Sequence, residues 1–397
     1  MNESTRRRFL TGLGLTAGAP LALPGFSQAA AYRALLGVNP EVAGRAPSPF
    51  GPQTEHVVIV AFAGGVRKKE VLEAADNAPN LNAIGRSGVI APRVACQNLG
   101  HYGAALSIFT GHHEAMGIRD NERGLNPTLF ELLRKDMSLG PADIWLSTSS
   151  GAQGRLFAHS DHPEYGADFA ANVLDGDGLF NVEFKRLLES FGKPKVDSDQ
   201  ERAVLRELGD AMRPVEGGTS LDPDQLRGIS NFVLDQLTGN TARITGPGSG
   251  DAKAIRVGAN ILKNFRPRLL GITLQNHDAA HGSFNGYVEI IRRNDEEIGK
   301  LWEMVQQDDA LRDKTALLVL PEFGRDKDLN ERNGLDHGDQ SKELHEVFLI
   351  AKGPDMPTGR VISESISTID VAPTVYQLLS GQRPPRTEGR VLRSLLR

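Results

Sequence analysis

The chain has 397 residues, 39% of them hydrophobic and 24% charged, with a formal net charge of -5. That length can bury a large core, and the acidic balance gives no general electrostatic reason to bind nucleic acid. A single cysteine, Cys96, excludes an internal disulfide framework and any multi-thiolate zinc site, which leaves histidine and carboxylate as the strong metal ligands.

The first segment, 1–31, carries Arg6-Arg7-Arg8-Phe9-Leu10 ahead of a Gly- and Ala-rich apolar run to Leu23 and a small-residue stretch from Ser27 to Ala31. It resembles a twin-arginine signal peptide with a cleavage site, the alternative being a basic N-terminal helix. The expectation is a protein that engages the twin-arginine translocation machinery and is released, periplasmic or secreted. No later apolar run is long enough to span a bilayer, so no stable membrane anchor is expected. Residues 32–54 are rich in Pro, Gly and Ala and read as a linker or N-terminal arm, which leaves 55–397 as the main domain.

His56 to Phe62 is a continuous apolar run of the kind a strand buried on both faces requires. Ala63-Gly64-Gly65 ends it with glycines suited to a tight turn but no acidic side chain. A helical pattern over Val71 to Gly88 and a short strand from Ile90 to Cys96 follow. Next comes a Gly-rich turn, 97–103, that leads into a small-residue helix whose free N–H groups offer an anion site. Asn98 and His101 are placed to face it, His101 being equally suited to a capping or packing role. A helix from Pro127 to Lys135 and a strand from Asp143 to Thr148 continue an alternation that predicts an α/β fold with a parallel sheet.

Between 151 and 267 strong strand signals disappear and charged helical segments alternate with Gly- and Pro-rich breaks, which predicts a mostly helical, cap-like insertion. Leu269 to Leu274 is the next buried strand. It ends in Asn276-His277-Asp278-Ala279-Ala280-His281, a carboxylate and imidazoles within a few residues. Tyr287 to Val305 has one apolar face at helical spacing, in which Asp295 reads as structural. Strands are expected at Thr315 to Leu320 and Val347 to Ala351, and a helix at Thr368 to Ser380. Glu322 follows the first of these strands, and Asp336-His337 lies in the polar loop beyond.

In doubly wound sheets, ligands bind outside the carboxyl ends of the strands, where loops from separate strands converge. Asp278, His281, His337 and Glu322 are therefore candidate metal ligands. Carboxylate oxygen with imidazole nitrogen suits a divalent ion, zinc first, with manganese or calcium as alternatives. Asp278 and His281 capping their own loop is the competing reading of the same spacing.

Several stretches together resemble the alkaline phosphatase superfamily, especially its sulfatase-like branch. These are Asp370-Val371-Ala372-Pro373-Thr374 with Glu388-Gly389-Arg390-Val391-Leu392, then Ala78-Pro79-Asn80-Leu81, then Ser107-Ile108-Phe109-Thr110-Gly111, and Asp278-x-x-His281. Glu322-Phe323-Gly324-Arg325 with Asp336-His337-Gly338 is similar to the twin-arginine-exported DUF1501 family. The resemblance runs from about Val57 to Leu392 without the insertion. It implies a doubly wound, mainly parallel sheet with helices on both faces, and a hydrolase of phosphate or sulfate esters.

The departures from that pattern are specific. The superfamily's hydrolases carry an aspartate at the end of the first strand, where this chain has Ala63, and an Asp-His pair where it has Glu322-Phe323. Counting back from Gly111, the nucleophile position falls on His101. Cys96 lies off that position and lacks the Pro and Arg of the sulfatase modification motif. The resemblance thus implies one retained metal site, from Asp278, His281 and His337, with Glu322 as a further ligand or general base and His101 and Asn98 at the catalytic position. Two functions stay open: an exported hydrolase of small anionic esters with a single metal site, and a non-catalytic exported binding or scaffold protein of the same fold.

Overall fold

The computed structural model describes residues 53–114, 122–176, 243–382 and 387–396, with 193–194, 220–221, 228, 231 and 232. The expected export signal, and the expected linker up to residue 52, lie outside the described residues. The chain divides into two compact units. The larger, 47–184 with 232–397, carries the sheet and the candidate site. Within the other, 1–46 with 185–231, Lys193–Pro194 pairs in parallel with Ser220–Leu221.

The sheet-bearing unit runs β1 (His56–Phe62), α1 (Pro79–Ser87), β2 (Val89–Ala95), α2 (His101–Thr110), α3 (Leu129–Asp136), β3 (Ile144–Thr148), α4 (Gly151–Phe157) and β4 (Asn172–Asp175). It continues through α5 (Ser249–Phe265), β5 (Leu269–Leu274), α6 (Phe284–Gln307), β6 (Thr315–Pro321), β7 (Glu346–Lys352), β8 (Arg360–Val361), β9 (Ile366–Ser367) and α7 (Val371–Ser380). The strands form one nine-stranded sheet in the order β8-β2-β7-β6-β1-β5-β3-β4, with β9 also pairing β2. Every described pairing in it is parallel except those of β7, which runs against both β2 and β6. The α/β fold with a parallel sheet expected from the alternation, in the doubly wound, mainly parallel form that the resemblance implies, is what the chain adopts.

β1, β5 and β6 are buried along their whole length, which is why each is an unbroken apolar run. On one face, alternate residues Val57, Ile59 and Ala61 join a core with Ala105, Phe109, Phe130, Leu133 and Val375 from α2, α3 and α7. On the other, α5 and α6 pack together, α5 against β3 and β5, and α6 against α1. Helices thus cover both faces, as a sheet of central parallel strands requires.

Two sequence details set local geometry. Pro92 lacks the N–H a ladder needs, and the β2–β7 register shifts between Ala91 and Val94. The outer partner of β2 is correspondingly split, β8 pairing Val89–Ile90 and β9 pairing Val94–Ala95. Thr128 starts α3 with a capping box to Glu131, and the Glu131 carboxylate also accepts from Ser160 N and Oγ and from Gly166 N, tying down the loop before β4.

The boundaries of the expected insertion change. α4 packs on β3 and β4, β4 is the edge strand beside β3, and α5 lies on β3 and β5, so both ends of 151–267 belong to the sheet domain. Their sequence reads as a cap because an amphipathic helix has the same period whether it covers a sheet or a lid. The middle of the segment falls largely outside the described residues.

Candidate metal centre

β5, β1 and β6 are adjacent and parallel, and their last residues share one level, Phe62 opposite both Leu274 and Pro321. The loops leaving these strands therefore open onto the same edge. After β1 the chain turns at Gly64 and Gly65. A side chain on Gly64 would collide with Asp278 N and Gln275 O at 2.7 Å, and Gly65 has φ +68°. These glycines, suited to a tight turn, also let the β1 and β5 loops approach each other closely.

After β5 a 3-10 turn, Asn276–His281, presents Asp278 and His281. After β6 come Glu322 and Phe323, both fully buried, then Arg325. His101 enters from the first turn of α2, and His337 from the loop beyond Arg325. One ligand atom from each of His101, Asp278, His281 and His337 lies within 4.8 Å of the others. Three of the four were expected as ligands; His101 was expected beside the ion rather than among its donors.

Asp278 is the centre of the group. Its Oδ1 lies 3.0 Å from His101 Nε2 and 3.3 Å from His281 Nε2. Ligands at tetrahedral angles around zinc are about 3.3 Å apart, so these spacings fit one ion. His101 Nε2 is buried without an aligned hydrogen-bond partner, the mark of a donor atom lacking its acceptor or ion.

Two imidazoles are oriented from behind by carboxylates. Glu322 Oε1 accepts from His101 Nδ1 at 2.6 Å, and Asp336 Oδ1 accepts from His281 Nδ1 at 2.6 Å. Such pairs fix the tautomer and the ring plane of a metal-ligating histidine. Glu322, expected as a ligand, stands outside the four-residue group and acts through His101, its Oε2 having no partner.

The electrostatics follow from burial and neighbours. Burial works against a charged His101, but the Glu322 and Asp278 carboxylates outweigh it and hold it up at about 9. Burial raises Asp278, yet His101 and Arg325 drive it well below the usual carboxylate range. Burial, then the neighbouring charges of His101 and Arg325, press His337 down to about 4, so it is neutral at pH 7 and ready to ligate. Burial raises Glu322, the His101 imidazolium opposing it.

Arg325 is the residue that sequence reasoning quoted without a role. Its side chain is fully buried. Nη2 donates to Asp278 Oδ1 at 2.7 Å and to Gly64 O, while Nη1 donates to His281 Nε2 at 3.1 Å and Leu335 O at 3.3 Å. Asn98 does not reach the group. Its Oδ1 accepts from Gly100 N and its Nδ2 donates to Glu114 O, so it staples the turn before α2. Cys96 is buried, and burial pushes its thiol up to about 12, away from the thiolate that a nucleophile needs.

Solved structures supply the comparison. Alkaline phosphatase PafA superposes with a TM-score of 0.56 in its wild-type form at 8% identity, covering 87% of this chain and 99% of that one. A quadruple mutant of PafA gives 0.57 at 9% identity, with the same two coverages. The chain has the alkaline phosphatase fold. A phosphonate monoester hydrolase of Agrobacterium radiobacter also aligns, with a TM-score of 0.48 and 13% identity, covering 86% of this chain and 77% of that one. No protein-family model and no curated protein matches the sequence, so the finer likeness to the DUF1501 group rests on its motifs alone. In this alkaline phosphatase-like sheet the candidate metal centre sits at the carboxyl ends of β1, β5 and β6, where doubly wound sheets place their ligands.

Proposed function

We propose that this protein is an exported, metal-dependent hydrolase of phosphate or sulfate esters. The observation that carries the reading is the convergence of His101, Asp278, His281 and His337, with Glu322 and Asp336 orienting two of the imidazoles. The alkaline phosphatase fold supports it. Asp278, His281 and His337 would hold the ion, and an imidazole-rich set suits zinc before manganese and before calcium, which prefers oxygen donors. A divalent ion there supplies polarisation of a phosphoryl or sulfuryl oxygen, or activation of water.

The protein's own groups do the rest. Glu322 accepts a hydrogen bond from His101 Nδ1–H, which fixes that proton on Nδ1, so that Nε2, once its own proton is lost, would face the centre as a nucleophile toward phosphorus or sulfur, or as a base toward water. The first N–H groups of α2, the helix that begins at His101, would seat an anionic oxygen. The arginine-rich start of the chain supports export through the twin-arginine machinery to a periplasmic or secreted location.

Ligation by all four donors favours a second reading, because a tetrahedral ion with four protein ligands is closed and of the structural type. On that reading the chain is a non-catalytic exported binding or scaffold protein. The deciding experiment measures the metal content of the purified mature protein, then hydrolysis of an aryl phosphate and an aryl sulfate by wild type, His101→Ala and Asp278→Ala. The hydrolase reading expects a bound ion and turnover that both substitutions abolish. A tightly bound ion with no turnover of either ester supports the second reading, and absence of any bound metal removes the hydrolase reading.

A further inference from the structure

Arg325 occupies the two atoms that a metal ion would need most. An arginine side chain only donates hydrogen bonds, so the 3.1 Å contact from its Nη1 fixes His281 Nε2 as the acceptor. That assignment agrees with His281 Nδ1 donating to Asp336. The single in-plane lone pair of Nε2, the one that would bind a metal, is therefore engaged by Arg325. Nη2 at the same time donates to Asp278 Oδ1, the oxygen 3.0 Å and 3.3 Å from the two imidazole nitrogens.

We infer that Arg325 is an internal competitor for the metal, holding the ligand cluster in its metal-free form and ceding His281 when a divalent cation binds. The inference rests on the metal-binding part of the proposed function. The contest for the two ligands is unequal. A carboxylate has lone pairs enough for both the guanidinium and an ion, whereas the His281 nitrogen has one, so exchange must take place at His281. The fixed charge of the fully buried guanidinium beside the site also repels an incoming cation. Both effects lower metal affinity.

The same contacts carry a structural benefit. Arg325 joins the β1 loop through Gly64 and the β5 loop through Asp278 and His281, so the ligands are assembled before any ion arrives.

The test uses the full mature chain, stripped of metal, with Zn2+ affinity measured by competition against a chromophoric chelator. Arg325→Gln is expected to bind Zn2+ about 10- to 100-fold more tightly than wild type, the range set by losing one charge-assisted hydrogen bond. Unchanged or weaker affinity in a folded Arg325→Gln overturns the competition while leaving the metal site itself standing. Zn2+ binding by neither protein overturns the site and the competition together, and Asp278→Ala supplies the non-binding baseline. Because Arg325 is fully buried and its loss can prevent folding, a second measurement is made on wild type. In 15N NMR, one equivalent of Zn2+ should shift His281 Nε2 to a metal-bound position and speed exchange of the Arg325 Nη protons. A metal-bound His281 with Arg325 protons unmoved would overturn the proposal without any variant.

Discussion

Around the candidate centre, single residues act in depth. Glu322 is fully buried, holds His101 at 2.6 Å and leaves its second oxygen without a partner. Its contribution is to aim Nε2 and to balance charge, which is how outer carboxylates tune metal sites. Glu322→Gln keeps the shape and removes the charge. If His101 is the fourth donor, as in the second reading, the substitution should weaken Zn2+ binding by about 10- to 100-fold with little change in the far-ultraviolet spectrum. Affinity within about twofold of wild type would mean that His101 is not a ligand. Part of this centre is legible in the sequence. Asp278, His281 and His337 stand out as ligand types placed after apolar runs. Arg325 does not, because arginine is usually a surface residue and its burial here depends on carbonyls of Gly64 and Leu335, remote in sequence and brought together only by the fold.

At the scale of elements, helices hold one another's ends. α1 begins after Ala78, which has no side chain to cap it. Asp295 of α6 supplies the cap instead, accepting from Asn80 N at 3.1 Å, Asn80 Nδ2 at 2.8 Å and Leu81 N at 2.7 Å. The carboxylate also favours the positive end of the α1 dipole. Asp295→Ala should destabilise the fold by about 2 kcal/mol, since it leaves helix-start N–H groups unpaired, that of Leu81 in a buried place. Urea unfolding measures this, and a loss below about 0.5 kcal/mol would show that water takes over the cap.

The sequence identifies Asp295 as structural but not what it touches, since its partner lies more than two hundred residues away. The long buried strands are legible for the opposite reason: each is a local apolar run. β4, β8 and β9 have too few residues to show a period, and α5 shows its period without showing which surface it covers.

For the whole molecule, the centre joins segments far apart in the chain. Its four donors come from α2, from the loop after β5 and from the loop after Arg325. An ion bound to all of them stabilises the folded state by mass action, by about 2.7 kcal/mol at a hundredfold excess over Kd. Adding Zn2+ to the stripped protein should therefore raise Tm by several degrees, and a chelator should reverse it. A Tm indifferent to both would mean that the donors do not act together.

β7 has a part in this arrangement. Running against both neighbours, it leaves β2 pointing the same way as β6, so the chain leaving β2 reaches His101 on the edge where β1, β5 and β6 end. Pro92 has a consequence of a different kind. By dividing the partner of β2 into two pieces of two residues each, with β4 only four residues long at the far margin, it leaves the described sheet without a long row of free N–H and C=O groups. Such rows are where one folded chain recruits another into intermolecular β-structure. A border divided in this way offers a shorter template for such pairing than an unbroken strand would.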